Sequence, residues 1–122
     1  MPLCSPADET PHAPADARPD ELEIARAFDL IRELTVITAR HVTTTWGGLR
    51  TFAPDRLPVV GFDPEVEGLF WYGGQGGYGV QTSPALSRFG AAVLRGEPLP
   101  AELADRGLDP AQLSPTRAGL LT

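Results

Sequence analysis

Five glycines fall within seven residues, from Gly73 to Gly79, and no other feature limits the fold of this chain as strongly. Glycine weakens strand and helix interiors, so a cluster this dense has to be a loop. It follows the apolar run Leu69–Tyr72 (LFWY), which has the length and make-up of a buried strand. It precedes VQTSPALSRFGAAVL, where Leu86, Phe89, Val93 and Leu94 recur at helical spacing. The pattern is therefore strand, glycine loop, helix. A loop without Cβ atoms lets a ligand approach the backbone, and a helix N-terminus offers unpaired N–H groups with partial positive charge. A polarised carbonyl oxygen or a phosphate would suit such a place. A glycine turn that touches no ligand fits the same pattern.

The loop is not a convincing dinucleotide fingerprint. Gly74, Gly76 and Gly79 match G-x-G-x-x-G formally. The fingerprint also needs an acidic residue about twenty positions on, at the end of a second strand. Glu97 lies near that distance but follows a helix into a proline-rich stretch, with no strand before it.

The other elements read from punctuation and periodicity. Five prolines precede residue 20 and make residues 1–18 an extended segment. A helix is expected after Pro19, with Asp20 as cap, Glu23 completing a capping box, and Ile24, Ala27, Phe28, Ile31 and Leu34 on one apolar face, ending before Val36. Val36–Thr45 is rich in valine, isoleucine and threonine and favours strand. Asp55-Arg56 reads as a turn, and Leu57–Phe62 (LPVVGF) as another short buried strand. Ser83 and Pro84 are expected to open the later helix as cap and first helical residue, with Gly96 closing it. Short helices are expected at 101–106 and 110–113. Trp46, Phe70, Trp71 and Tyr72 are expected in the core. The class is α+β.

At 122 residues the chain is one domain or part of one. Ten basic against sixteen acidic residues give a formal charge of −6, which argues against nucleic-acid or anionic-membrane binding. No apolar run of membrane-spanning length and no signal-peptide pattern is present, so a cytoplasmic location is expected. All ten basic residues are arginine, and the missing lysine excludes Schiff-base and P-loop chemistry. Cys4 is the sole cysteine, and neither His12 nor His41 has the spacing of a metal ligand or a catalytic pair. Arg50, in WGGLRTF, sits among apolar residues, where a guanidinium needs a partner. An internal salt bridge would satisfy it, and so would the carboxylate of a ligand.

Two longer motifs, WGGLRTFAPDRLPVVGFDP and GLFWYGGQGGYGVQTSPA, carry a family likeness. Together they resemble the C-terminal part of the glycine/D-amino-acid oxidase family of FAD-dependent flavoproteins. CSPADETP, QGGYGVQTSPA and PLPAELADRGLDPAQLSPTR look most like its D-arginine dehydrogenase branch. The resemblance implies a D-amino-acid substrate whose carboxylate is held by Arg50 and whose amino group meets the Gly77 carbonyl. It implies FAD contacts at Gly48, Gly76, Gly77, Tyr78, Gly79, Val80 and Gln81, and assigns no catalytic or metal-binding residue. It also implies hydride transfer from the α-carbon to flavin, giving an imino acid that hydrolyses to a keto acid.

The family's dinucleotide fingerprint is not in this sequence. The expectation is thus a C-terminal fragment of a two-domain FAD oxidoreductase, carrying part of the antiparallel-sheet substrate domain (19–60), the last strands and final helix of the Rossmann-like FAD domain (61–97), and a tail (98–122). FAD would be shared with a missing N-terminal part, with a complementary N-terminal chain as one source of it. Apolar edges should then be exposed and FAD affinity low. A non-enzymatic interaction module docking on a partner chain is the alternative.

Overall fold

The computed structural model describes residues 3–38 and 40–120. The chain divides into two compact units, Met1–Leu49 and Arg50–Thr122.

In the first unit the proline-rich residues run without regular structure into helix α1, Glu21–Leu34. Asp20 caps it as expected, accepting from the N–H of Leu22 at 2.8 Å and of Glu23 at 3.1 Å. Glu21 and Glu23 complement the helix dipole in the first turn, and the Glu23 carboxylate pairs with Arg26. Thr35 ends the helix, its N–H and hydroxyl both donating to the Ile31 carbonyl. Of the expected apolar face only Ala27 is buried; Ile24, Phe28 and Ile31 are half-buried and Leu34 is exposed. The expected strand at Val36–Thr45 is not formed over 36–38 and 40–45, and Ala39 lies outside the described residues. Strand propensity describes how a side chain fits a pleated, half-buried surface, and Val36, Ile37 and Val42 are exposed. Gly47 passes close to backbone, since a Cβ there would stand 2.9 Å from the Arg18 carbonyl carbon.

The second unit is built on an antiparallel pair, β1 (Val59–Phe62) and β2 (Phe70–Gly73), in register Val59↔Gly73 through Phe62↔Phe70. Strand β1 runs across the expected boundary at residue 60. Asp63 closes the hairpin: its carboxylate accepts from Glu65 N–H, Val66 N–H and the Trp71 indole. Those bonds, the indole's foremost, hold its pKa below the usual carboxylate value.

Helix α2, Gly79–Arg95, packs on β1, and Val60, Leu86, Phe89, Leu103 and Leu113 form the core. Helix α3 (Ala101–Ala104) and a 3₁₀ turn at Pro110–Leu113 contribute the last two. Gly90 brings α2 tightly onto the sheet, because a Cβ there would stand 2.8 Å from the Tyr72 ring and 3.5 Å from Val60. The helix ends at Gly96, in the left-handed region at φ 65°.

Three expectations fail here. Helix α2 begins at Gly79, so Pro84 lies inside it rather than at its first position. A proline cannot donate to the carbonyl four residues back, and that carbonyl, on Val80, takes the Ser83 hydroxyl at 3.2 Å instead. Leu94 is exposed, while Gly90 and Ala92 complete the buried face. Trp46 is exposed in the first unit, and in the second Trp71 and Tyr72 are exposed and Phe70 is half-buried on β2, which no strand other than β1 flanks among the described residues. The expectation of exposed apolar side chains is met by Phe62, Trp71 and Tyr72. Among the described residues, no helix is long and apolar enough to cross a membrane.

Candidate functional site

The glycine loop folds back on the segment that carries Arg50. Phe52 and Gln75 form an isolated antiparallel bridge, and the Gly76 N–H donates to the Thr51 carbonyl at 3.0 Å. Gly74 and Gly76 both take positive φ, 66° and 52°. At Gly76 a side chain is excluded twice over, by that conformation and by the Phe52 ring, into which a Cβ would run. Gly77 faces the Arg50 guanidinium: a Cβ there would stand 2.6 Å from Nη1. At Gly79 a Cβ would stand 2.7 Å from Gln75 Oε1. Absent side chains thus let loop backbone, guanidinium and amide meet in a small space.

Phe52 is the ring around which these groups gather. The Arg50 guanidinium carbon lies 5.7 Å and that of Arg56 5.3 Å from its centroid, distances at which a cation is attracted to an aromatic face. Tyr78 approaches the same ring edge-on at 6.5 Å. The Tyr78 hydroxyl donates to the Arg56 carbonyl, tying the helix start to the Ala53–Leu57 turn. Arg56 itself sits at φ 64°.

Helix α2 starts directly behind the loop. Its cap residue, Tyr78, makes no side-chain capping bond, and its first turn holds no acidic residue. Helix geometry leaves the N–H groups of Gly79, Val80 and Gln81 without acceptors inside the helix. Val80 is 93% exposed and Gln81 is exposed as well. The head of α2 therefore presents donors and partial positive charge outward, beside a half-buried arginine.

Of the residues singled out in the sequence, Arg50, Gly76, Gly77, Tyr78, Gly79, Val80 and Gln81 share this unit and this neighbourhood. Gly48 belongs to the first unit, where it is exposed and has open space around its Cα. Sequence reasoning missed Phe52, marked only as an apolar flank of Arg50, together with Gln75 as a strand partner and Arg56 as the acceptor for Tyr78. The positive charge on either side of a phenylalanine, R-T-F-A-P-D-R, was the available signal.

The arrangement can hold an anion or a polarised oxygen against backbone donors, and can offer a planar cation to a carboxylate. The family model for FAD dependent oxidoreductases (DAO) matches residues 3–92, which takes in the Arg50 segment, the glycine loop and most of α2.

Proposed function

Because the chain belongs to the FAD dependent oxidoreductase family, we propose that its second unit supplies one wall of a flavin site that oxidises D-amino acids. The observation that carries this reading is the placement of Arg50 Nη1 against Gly77 at the uncapped head of α2. A substrate carboxylate and the oxygen-bearing edge of a flavin ring need those two kinds of donor side by side. The residues fit the group in one further respect: Gly77 and Gly79, lacking a Cβ, let the Arg50 guanidinium and the Gln75 amide lie directly against the loop backbone.

In this reading Gly76, Gly77, Tyr78, Gly79, Val80 and Gln81 lie along the pyrimidine edge, with N–H groups of the helix head stabilising negative charge there. Arg50 holds the carboxylate in two parallel hydrogen bonds, and the Gly77 carbonyl accepts from the amino group. Bound flavin supplies the acceptor for hydride from the α-carbon, and the imino product hydrolyses to a keto acid. The exposure of Val80, Gln81 and Gly77 supports a site whose opposite wall comes from outside these residues.

The test is an amide-resonance titration of the chain with FAD, followed by D- and L-amino acids. The expected result is movement of the Gly76–Gln81 amides at millimolar FAD, and of the Arg50 side chain with D-amino acids only. A protein that shows neither response refutes the reading. Arg50→Lys should weaken carboxylate binding by roughly tenfold, because an ammonium cannot reproduce the two-pronged bond. Unchanged affinity would remove Arg50 from the site.

A second reading is favoured by the exposure of Phe62, Trp71 and Tyr72 on a sheet of two strands. Here the unit docks on a partner chain as a non-catalytic module. A monodisperse monomer at high concentration that still binds FAD would count against it.

A further inference from the structure

The tail beyond Arg95 leaves the family-matched span, yet it returns to the candidate site. Leu113 enters the core. Pro115 is buried against β1, its Cδ 2.7 Å from where a Cβ on Gly61 would stand. Arg117 follows, with a side chain only 7% exposed. Its guanidinium makes five hydrogen bonds. Nε and Nη2 donate to the Asp55 carboxylate at 2.5 and 2.8 Å. Nη2 also donates to the Leu57 carbonyl at 2.9 Å, and Nη1 to the Pro58 and Ser114 carbonyls at 3.1 Å each. A guanidinium has five N–H donors, so none is left over for a ligand. Arg117 is an anchor, and what it anchors is the Ala53–Pro58 turn.

That turn is where the site is fixed. Within it Arg56 N–H donates to Ala53 O at 2.9 Å and Leu57 N–H to Asp55 Oδ1 at 3.0 Å. Its Arg56 carbonyl receives the Tyr78 hydroxyl, and its Arg56 side chain lies over Phe52, the ring that Arg50 also covers.

We propose that Arg117 is a positioning residue: through Asp55 it sets the turn that places Tyr78, Phe52 and Arg50, so that a tail outside the family-matched span holds the site in register. This rests on the site reading given above. A buried fork with every donor used has one arrangement, whereas a lysine at 117 could reach only part of the acceptor set.

The experiment compares the wild type with Arg117→Gln, Arg117→Lys and Asp55→Asn by amide resonances and hydrogen exchange, first without ligand. In Arg117→Gln the exchange of Gly76 and Tyr78 amides should rise by about tenfold, and the Arg50 side-chain resonance should move, while Ala92 and Val93 in α2 stay within about twofold. Arg117→Lys should fall between. The double variant of Arg117→Gln with Asp55→Asn should add little to either single change. A rise spread evenly over the unit, or one confined to 114–120, overturns the proposal. Repeating the FAD titration separates the two ideas. Wild type that ignores FAD defeats the flavin reading while the exchange pattern still decides the anchor. Wild type that responds, with Arg117→Gln responding equally, defeats the anchor alone.

Discussion

The two long helices begin in opposite ways. At the head of α1, Asp20 takes two backbone N–H groups and acidic residues fill the first turn. At the head of α2 there is no capping side chain and no acidic residue, and Val80 stands almost wholly in solvent. The burial is reversed. Helix α1 buries only Ala27, whereas α2 buries Leu86, Phe89, Gly90 and Ala92. One helix is secured at its start and the other by its middle. A helix held by its middle can leave its first N–H groups to another task, which a helix dependent on its cap cannot do.

The contrast breaks most visibly in the core of the second unit. Phe89→Ala should cost about 3–5 kcal/mol and remove the unit's cooperative unfolding transition in denaturant. Ile24→Ala in α1 should cost well under that, and equal losses would erase the distinction drawn between the helices. Next in size is Gly76→Ala, which meets both a positive φ and the Phe52 ring. A loss of roughly 1–3 kcal/mol is expected, read as a lowered melting temperature together with shifted Tyr78 resonances. Asp20→Ala should cost about 1 kcal/mol, seen as lost helicity over Glu21–Leu34, and should leave the second unit's transition untouched.

The smallest effect is on acid stability. Hydrogen bonding from Arg117, helped by the Leu57 N–H, lowers the Asp55 pKa to about 2 from 3.8. A folded-state value below the unfolded one means the contribution is complete above about pH 4 and is lost as pH falls through 2. Acid titrations of wild type and Asp55→Asn should therefore converge at the low end. Curves parallel across that range would mean that the carboxylate charge does not matter to the anchor.

What the sequence disclosed was local. Asp20 before a periodic stretch, glycines between an apolar run and a helix, and Gly96 past the last periodic residue each act through neighbours a few positions away, and each was placed well. The head of α2 was misjudged because Ser83-Pro84 is a good start signal, yet the packing of Leu86, Phe89 and Gly90 on β1 sustains a helix begun five residues earlier. The strand expected at Val36–Thr45 shows the limit of propensity without a pairing partner. At the site, Arg50 and the glycine loop could be named from their motifs. The anchor could not, since Asp55 and Arg117 lie 62 residues apart and nothing in either local stretch points to the other.

Gly90 has a consequence for the loop that precedes its helix. Tyr72 ends the apolar run on one side of the glycines, and Gly90 lies eleven residues into α2 on the other, roughly 16 Å from its start. Their contact closes the intervening chain into a ring with both ends fixed. Its glycines, each free in isolation, are strung between two immovable posts. Rotation of α2 about its own axis is keyed to an aromatic ring on the sheet, so the direction of its first N–H groups is settled before anything approaches them. A methyl group at residue 90 would favour helix formation and lift the key from its lock. It would alter the aim of groups it never touches.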